Sequence, residues 1–205
     1  MKLYFSPGAC SLSPHIVSRE LGLALELKKV NTKDKTIEGG GDFRRVNPKG
    51  YVPALELDDG EVLTEGPAIV QYLADRKPES GLAPKGGTLE RYKLQEWLNF
   101  ITSEIHKAFS PLFKPNTPEE YKKIAKENIA SRFEWVDKQL AGREYLTGAA
   151  FTVADAYLFT VVNWSGFTGI DLKPYPNLAA FQARVAARPK VREAMLAEGL
   201  IKQAA

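Results

Sequence analysis

The sole cysteine of the chain, Cys10, follows the turn Ser6-Pro7-Gly8-Ala9 and opens a segment of helical spacing. Helix N-termini present unpaired N–H groups and a partial positive charge. A thiolate is stabilised there, so a lowered thiol pKa and a nucleophile active near neutral pH are expected. The string Cys10-Ser11-Leu12-Ser13 lacks a second cysteine at 13. An internal dithiol cycle is therefore excluded, as is any intramolecular disulfide. A small buried hydrophobe is the alternative reading of such a residue. Val52-Pro53 is a candidate cis peptide that would turn the Val52 backbone toward a ligand; a trans proline at a strand start is the ordinary alternative. In Thr64-Glu65-Gly66-Pro67, Gly66 allows close backbone approach and the following helix offers N–H groups to a carboxylate. Glu65 would then hold an ammonium group, or serve only as a helix-start acid.

Gln95, Asn99, Ser103, His106 and Ser110 fall in one narrow stripe at about 100° per residue. A solvated helix face usually carries Lys and Glu, whereas this stripe is almost uncharged and suits a cleft wall. His106 titrates near neutral pH in its ordinary state. His15 reads as a packing or orienting residue.

These groups are positioned by two kinds of element. Lys2–Phe5 and Leu25–Val30 read as strands flanking a helix from Cys10 to Glu20, with Gly22 past its end. Residues 31–50 read as loop with one helical turn. Tyr51–Leu57 and Glu61–Thr64 form a hairpin around Asp58-Asp59-Gly60, and a helix covers Pro67–Asp75. Two prolines and three glycines over Lys77–Gly87 mark a linker. From Leu89 the pattern is helical: one long helix ended by Pro111, Pro115 and Pro118, a second over Glu119–Leu140, a third after Thr152, and a last over Leu178–Arg188 that resumes after Pro189. Thr152-Val153-Ala154-Asp155 matches a capping box, read as a folding element.

The 205 residues are enough for one large or two small domains without disulfide or metal support. Apolar residues at 44% and charged residues at 26% exclude a disordered chain. There is no apolar run of about 18 residues and no signal-peptide stretch, so neither a membrane span nor secretion is expected. With a single cysteine, this fits a reducing cytoplasm. A net charge of +3 without a basic cluster argues against nucleic acid.

The segments Pro7–His15, Val46–Leu55, Leu63–Gly66, Gln71–Asp75 and Phe151–Tyr157 together resemble a bacterial beta-class glutathione transferase over essentially the whole chain. The resemblance implies an α/β thioredoxin-like N-terminal domain (1–80), a linker (81–88) and an all-α C-terminal helical domain (89–205). It further implies a homodimer and a cis Pro53. Glutathione is the implied co-substrate, with no other cofactor and no metal. Carried over by position, Cys10 lies at the sulfur, with Ser11 and His106 assisting it. Glu65 and Gly66 take the γ-glutamyl end, Val52 pairs with the cysteinyl unit, and Lys35 meets the glycyl carboxylate. Asn99, Ser103, Glu104 and His106 come from the helical half, and Ser103 and Glu104 are also placed near the partner's site. Relatives often carry tyrosine second in an aromatic pair at 4 and 5; here the order is Tyr4-Phe5. Strand neighbours face opposite sides, so the hydroxyl does not simply move over.

The implied activity is conjugation of glutathione to a small hydrophobic electrophile, lined by groups such as Phe113, Trp164 and Phe167 if these are not core. Thiol-disulfide exchange through Cys10 is a second outcome. The rival readings are a monothiol glutaredoxin-like reductase and a non-enzymatic ligand-binding protein on the same fold.

Overall fold

A computed structural model describes residues 1–203 and divides the chain into two units. The first comprises Met1–Ala83 and the segment from Ala187 onward; the second is Pro84–Ala186. The C-terminal segment thus joins the first unit, which differs from the expected all-helical domain over 89–205. The reason lies in its buried contacts, described below.

In the first unit, β1 (Lys2–Phe5), α1 (Leu12–Glu20) and β2 (Glu26–Asn31) form a parallel β-α-β unit, with Lys2 opposite Glu26. A short β3 (Thr36–Ile37) pairs antiparallel with β2 in the stretch expected to be loop, and Phe43–Arg45 form a 3-10 turn. The strands β4 (Ala54–Glu56) and β5 (Val62–Thr64) make the expected hairpin, and α2 spans Gly66–Asp75. The sheet order is β3-β2-β1-β4-β5, with β4 antiparallel to β1. This is the thioredoxin-like arrangement. β1 can sit at its centre because its residues are apolar on both faces. Tyr4 packs with Val30, Phe43, Val52 and Ala54, while Phe5 faces the His15 ring at 6.2 Å between centroids. The Tyr4 hydroxyl donates to Glu56 at 2.7 Å, and burial, aided by that carboxylate, pushes it up to about 12. The Tyr4-Phe5 order therefore turns the hydroxyl to the face opposite His15.

The last helix, α9 (Pro189–Ala197), packs on α1 within the same unit. Arg188 makes a two-pronged bond to Glu20 at 2.7 and 2.9 Å. Glu198, at the end of α9, is buried and bonds His15 and Gly8.

The second unit is helical: α3 (Leu89–Phe100), α4 (Lys107–Phe113), α5 (Glu119–Leu140), α6 (Val153–Val162), α7 (Trp164–Thr168) and α8 (Pro176–Ala186). Between α3 and α4, Ile101–His106 is a π-helical turn, so the expected single helix changes pitch. Pro111 lies inside α4 instead of ending it, and the chain leaves the helix after Phe113. α6 is buried along its whole length. Among the described residues no helix is long and apolar enough to cross a membrane.

Candidate functional site

Cys10 sits in the turn between β1 and α1, two residues before the first helical residue. The turn is closed by the Ala9 N–H to the Ser6 carbonyl at 3.0 Å and the Leu12 N–H to the Ala9 carbonyl at 2.9 Å. The Cys10 side chain, part of a partly exposed residue, donates its S–H to the Val52 carbonyl at 3.2 Å. The sign expected for its acidity is reversed. Burial of the sulfur pushes the thiol up to about 12; the backbone N–H groups of Cys10 and Ser11 pull downward, and nearby Glu65 adds to the upward shift. Burial opposes the anion more than the helix-end N–H groups favour it, and the Val52 carbonyl is the acceptor for the thiol proton.

Ser11, expected to assist at the sulfur, lies in the turn beside Cys10. It is fully buried, and its hydroxyl accepts the Ser6 N–H at 3.1 Å and donates to the Ser6 carbonyl at 3.2 Å. It therefore stitches the loop closed. His15 is buried as an orienting residue: Nδ1 meets Glu198 Oε1 at 2.9 Å, and Arg19 Nε approaches Nε2 at 3.4 Å. The other Glu198 oxygen accepts the Gly8 N–H at 2.9 Å. Gly8 has φ of +71°, and a Cβ there would stand 3.2 Å from Leu200, so glycine fits both the left-handed turn and the close packing.

The Val52-Pro53 bond is cis, as expected. Asn47 shapes its approach: its amide donates to the Tyr51 carbonyl at 2.7 Å and accepts the Lys49 N–H at 3.2 Å, all at 2% exposure. Val52 itself is buried. Glu65 precedes α2 with φ of +70° and its carboxylate in solvent. Lys49 holds it and also donates to the Thr64 hydroxyl at 2.9 Å. Gly66 is the buried first residue of α2 and packs near Ser13. Lys35 has φ of +64° and carries its ammonium over the Tyr51 ring at 5.7 Å. Cys10 and Val52 are thus brought into direct contact, with Glu65 near enough to act on the thiol's charge. Lys35 lies on the neighbouring loop with Tyr51. Lys49 and Asn47 were missed in the sequence because ion pairing and turn geometry leave no periodic signal.

In the second unit, the polar stripe meets the π-helical turn. Asn99 and Ser103 are exposed, and the Ser103 hydroxyl donates back to the Asn99 carbonyl at 3.0 Å. Glu104 bonds Arg132 at 2.7 Å. His106 Nδ1 lies 2.6 Å from the Tyr157 hydroxyl, and its ring stands edge-on to Trp164 at 4.8 Å. Trp164 is 7% exposed, whereas Phe113 and Phe167 are 51% and 72% exposed. Phe113 meets the Trp164 ring edge-on at 5.4 Å. Trp164 is thus core beneath His106, while Phe113 and Phe167 present apolar surface. Because the π turn winds more residues per turn, the 100° stripe does not run straight through it. Asn99, in α3, and His106, at the end of the turn, are thus no longer related by α-helical phase.

The expected capping box is present. The N–H and hydroxyl of Thr152 both donate to Asp155 Oδ2 at 2.8 Å, and the Leu146 N–H donates to Oδ1 at 2.8 Å. Among the described residues no group of three or more His, Cys, Asp or Glu is placed to hold a metal ion.

Comparison with known proteins bears on both units. Residues 8–76 match the glutathione S-transferase N-terminal domain and residues 100–189 the glutathione S-transferase C-terminal domain. The chain is 48% identical over 200 residues to the glutathione S-transferase GstA of Escherichia coli O157:H7, covering 98% of this chain and all of that protein. A sphingomonad glutathione S-transferase solved in complex with glutathione superposes with a TM-score of 0.95 at 51% identity, over 98% of this chain and all of that one. A bacterial beta-class glutathione S-transferase from Sphingomonas chungbukensis gives 0.96 at 51% identity and the same coverage.

Proposed function

The chain belongs to the glutathione S-transferase family, and on that premise we propose that it binds reduced glutathione and conjugates it to a small hydrophobic electrophile. One observation carries the reading: the Cys10 thiol and the backbone of Val52, beside the cis proline, converge at 3.2 Å. That pairs a sulfur-directed donor with a backbone edge suited to a peptide. In this reading Val52 pairs with the cysteinyl unit of glutathione and Cys10 donates to its sulfur. Glu65 takes the ammonium in place of Lys49, the Gly66 N–H at the start of α2 takes the adjacent carboxylate, and Lys35 takes the glycyl carboxylate. By the family resemblance, Asn99, Ser103, Glu104 and His106 are further glutathione-binding residues, with His106 a proton donor. Phe113 and Phe167 supply apolar surface for the electrophile. Assembly as a homodimer belongs to the same reading.

Calorimetric titration of reduced glutathione into the protein is expected to give saturable heat at one site per chain. Glu65→Gln is expected to weaken that binding about tenfold, since a charge-assisted bond contributes roughly 1.5–3 kcal/mol. Absence of heat with the unmodified chain overturns the proposal and favours a ligand-binding role on the same fold.

Conjugation is favoured over thiol-disulfide exchange because the resting Cys10 is a neutral, hydrogen-bonded thiol. Exchange needs the thiolate. Conjugation is therefore expected to fall by less than about tenfold in Cys10→Ala, the loss of one hydrogen bond. Mass spectrometry after exposure to oxidised glutathione at pH 7 is expected to show little adduct. A rapid, stoichiometric adduct at Cys10 would instead support the reductase reading.

A further inference from the structure

The Lys49 ammonium holds the Glu65 carboxylate and also donates to the Thr64 hydroxyl at 2.9 Å. The backbone behind each partner is fixed. Lys49 stands in a tight turn: its N–H donates to Asn47 Oδ1 at 3.2 Å, and the Gly50 N–H donates to the Asn47 carbonyl at 2.8 Å. The buried Asn47 side chain is pinned in turn to the Tyr51 carbonyl. Glu65 has φ of +70°, a region that residues with a side chain rarely adopt, and its carbonyl accepts the Ala68 and Ile69 N–H groups at 3.1 and 3.0 Å. The two side chains themselves are 49% and 68% exposed. The pair is thus presented by rigid backbone but open to solvent, where an ion pair is weak and exchanges readily. A lysine ammonium and the α-ammonium of a γ-glutamyl unit are the same functional group, with three donors and a single positive charge. Two such groups on one carboxylate stand close together and repel each other.

We propose that Lys49 is an internal competitor for the glutathione ammonium: it occupies the Glu65 carboxylate until the ligand's own ammonium displaces it. The competition rests on the proposed role of Glu65 as the ammonium site. Lys49 then sets affinity without approaching the reacting sulfur. Apparent affinity is lowered in proportion to the fraction of molecules in which Glu65 is free of Lys49. The conjugate carries the same γ-glutamyl end as glutathione, so Lys49 weakens substrate and product alike.

The test is calorimetric titration with two peptides: S-methylglutathione, and S-methylated glutaryl-cysteinylglycine, which lacks only the α-ammonium. Lys49→Met is expected to tighten binding of S-methylglutathione about two- to fivefold, the range of an exposed ion pair, and to leave the deaminated peptide bound no more tightly. Removing a cation by itself weakens attraction for an anionic ligand, so the expected tightening is opposite in sign to the general charge effect. Lys49→Arg keeps a cation on the carboxylate and is expected to bind S-methylglutathione no more tightly than the unmodified chain. Equal or weaker binding of S-methylglutathione by Lys49→Met overturns the proposal. So does equal tightening of both peptides, which would place the effect away from the ammonium. Weakened binding in Glu65→Gln without tightening in Lys49→Met is a failure of the competition alone. Unweakened binding in Glu65→Gln is a failure of Glu65 as the ammonium site, and the competition falls with it.

Discussion

Asp155→Ala is expected to lower stability by about 2 kcal/mol at neutral pH, read as a shift of the urea midpoint. The substitution leaves the Leu146 and Thr152 N–H groups and the Thr152 hydroxyl without the carboxylate they share. Buried donors without partners cost roughly 1–3 kcal/mol each, reduced where water enters the space left behind. The deficit should depend on pH. Burial raises the Asp155 carboxyl from 3.8 to about 6, against the opposing pull of its hydrogen-bond donors, Leu146 first. The folded chain therefore holds the proton more tightly than the unfolded one. Below the unfolded value both states are protonated and the contribution is complete. Between about pH 4 and 6 the unfolded chain ionises first, and stability falls as pH rises, by about 1.4 kcal/mol per unit. Above that window both states are ionised and the contribution is lost. The gap between the unmodified protein and Asp155→Ala is thus expected to be wider at pH 4 than at pH 7. A gap that narrows toward acid would show that the donors, and not burial, govern this carboxyl.

Glu198→Ala is expected to cost about 3 kcal/mol, because it removes the carboxylate shared by the buried His15 Nδ1–H and the half-buried Gly8 N–H. Both lie on the β1–α1 side of the first unit, while Glu198 is separated from them in sequence by 183 and 190 residues. The loss should therefore be felt in the turn that carries Cys10. Hydrogen exchange at the Gly8 amide is expected to quicken, and alkylation of Cys10 to quicken with it. Glu198→Gln keeps one acceptor and presents an amide N–H₂ to the other donor, so it should fall between. Unfolding unchanged in both variants, with Gly8 still protected, would show that Arg188 with Glu20 and the α1–α9 packing hold the segment unaided.

Much of the first unit was legible because its signals are local. Asp59-Gly60 between alternating runs marked the hairpin, Pro67 marked the start of α2, and Lys2 to Phe5 marked a strand. Short β3 was not legible: two residues with no alternation become a strand only because Val30 and Asn31 offer an edge opposite them. Pro111 was read as a stop because proline removes a helical hydrogen bond, yet α4 runs through it and ends two residues later at Phe113. The candidate site divides in the same way. Cys10, Val52, Glu65 and His106 stand out by type and position. Lys49, Asn47 and Tyr157 act through contacts made across 15, 4 and 51 residues. Ser11 stands out beside a cysteine, while its burial and its two bonds to Ser6 come from the turn.

The sequence by itself determined the order of the longer elements, the capping box and which residue types were in reach of sulfur chemistry. These follow from spacing and from intrinsic preferences of the residues concerned. Only the tertiary structure decided the acceptor of the Cys10 thiol, the hydrogen bonds of Ser11, the unit joined by the C-terminal segment and the closeness of Tyr157 to His106. Each of these depends on how far a polar group is removed from water and on what distant donor or acceptor meets it there. Desolvation and long-range hydrogen bonding are set by packing, and neither has a period that a sequence can display.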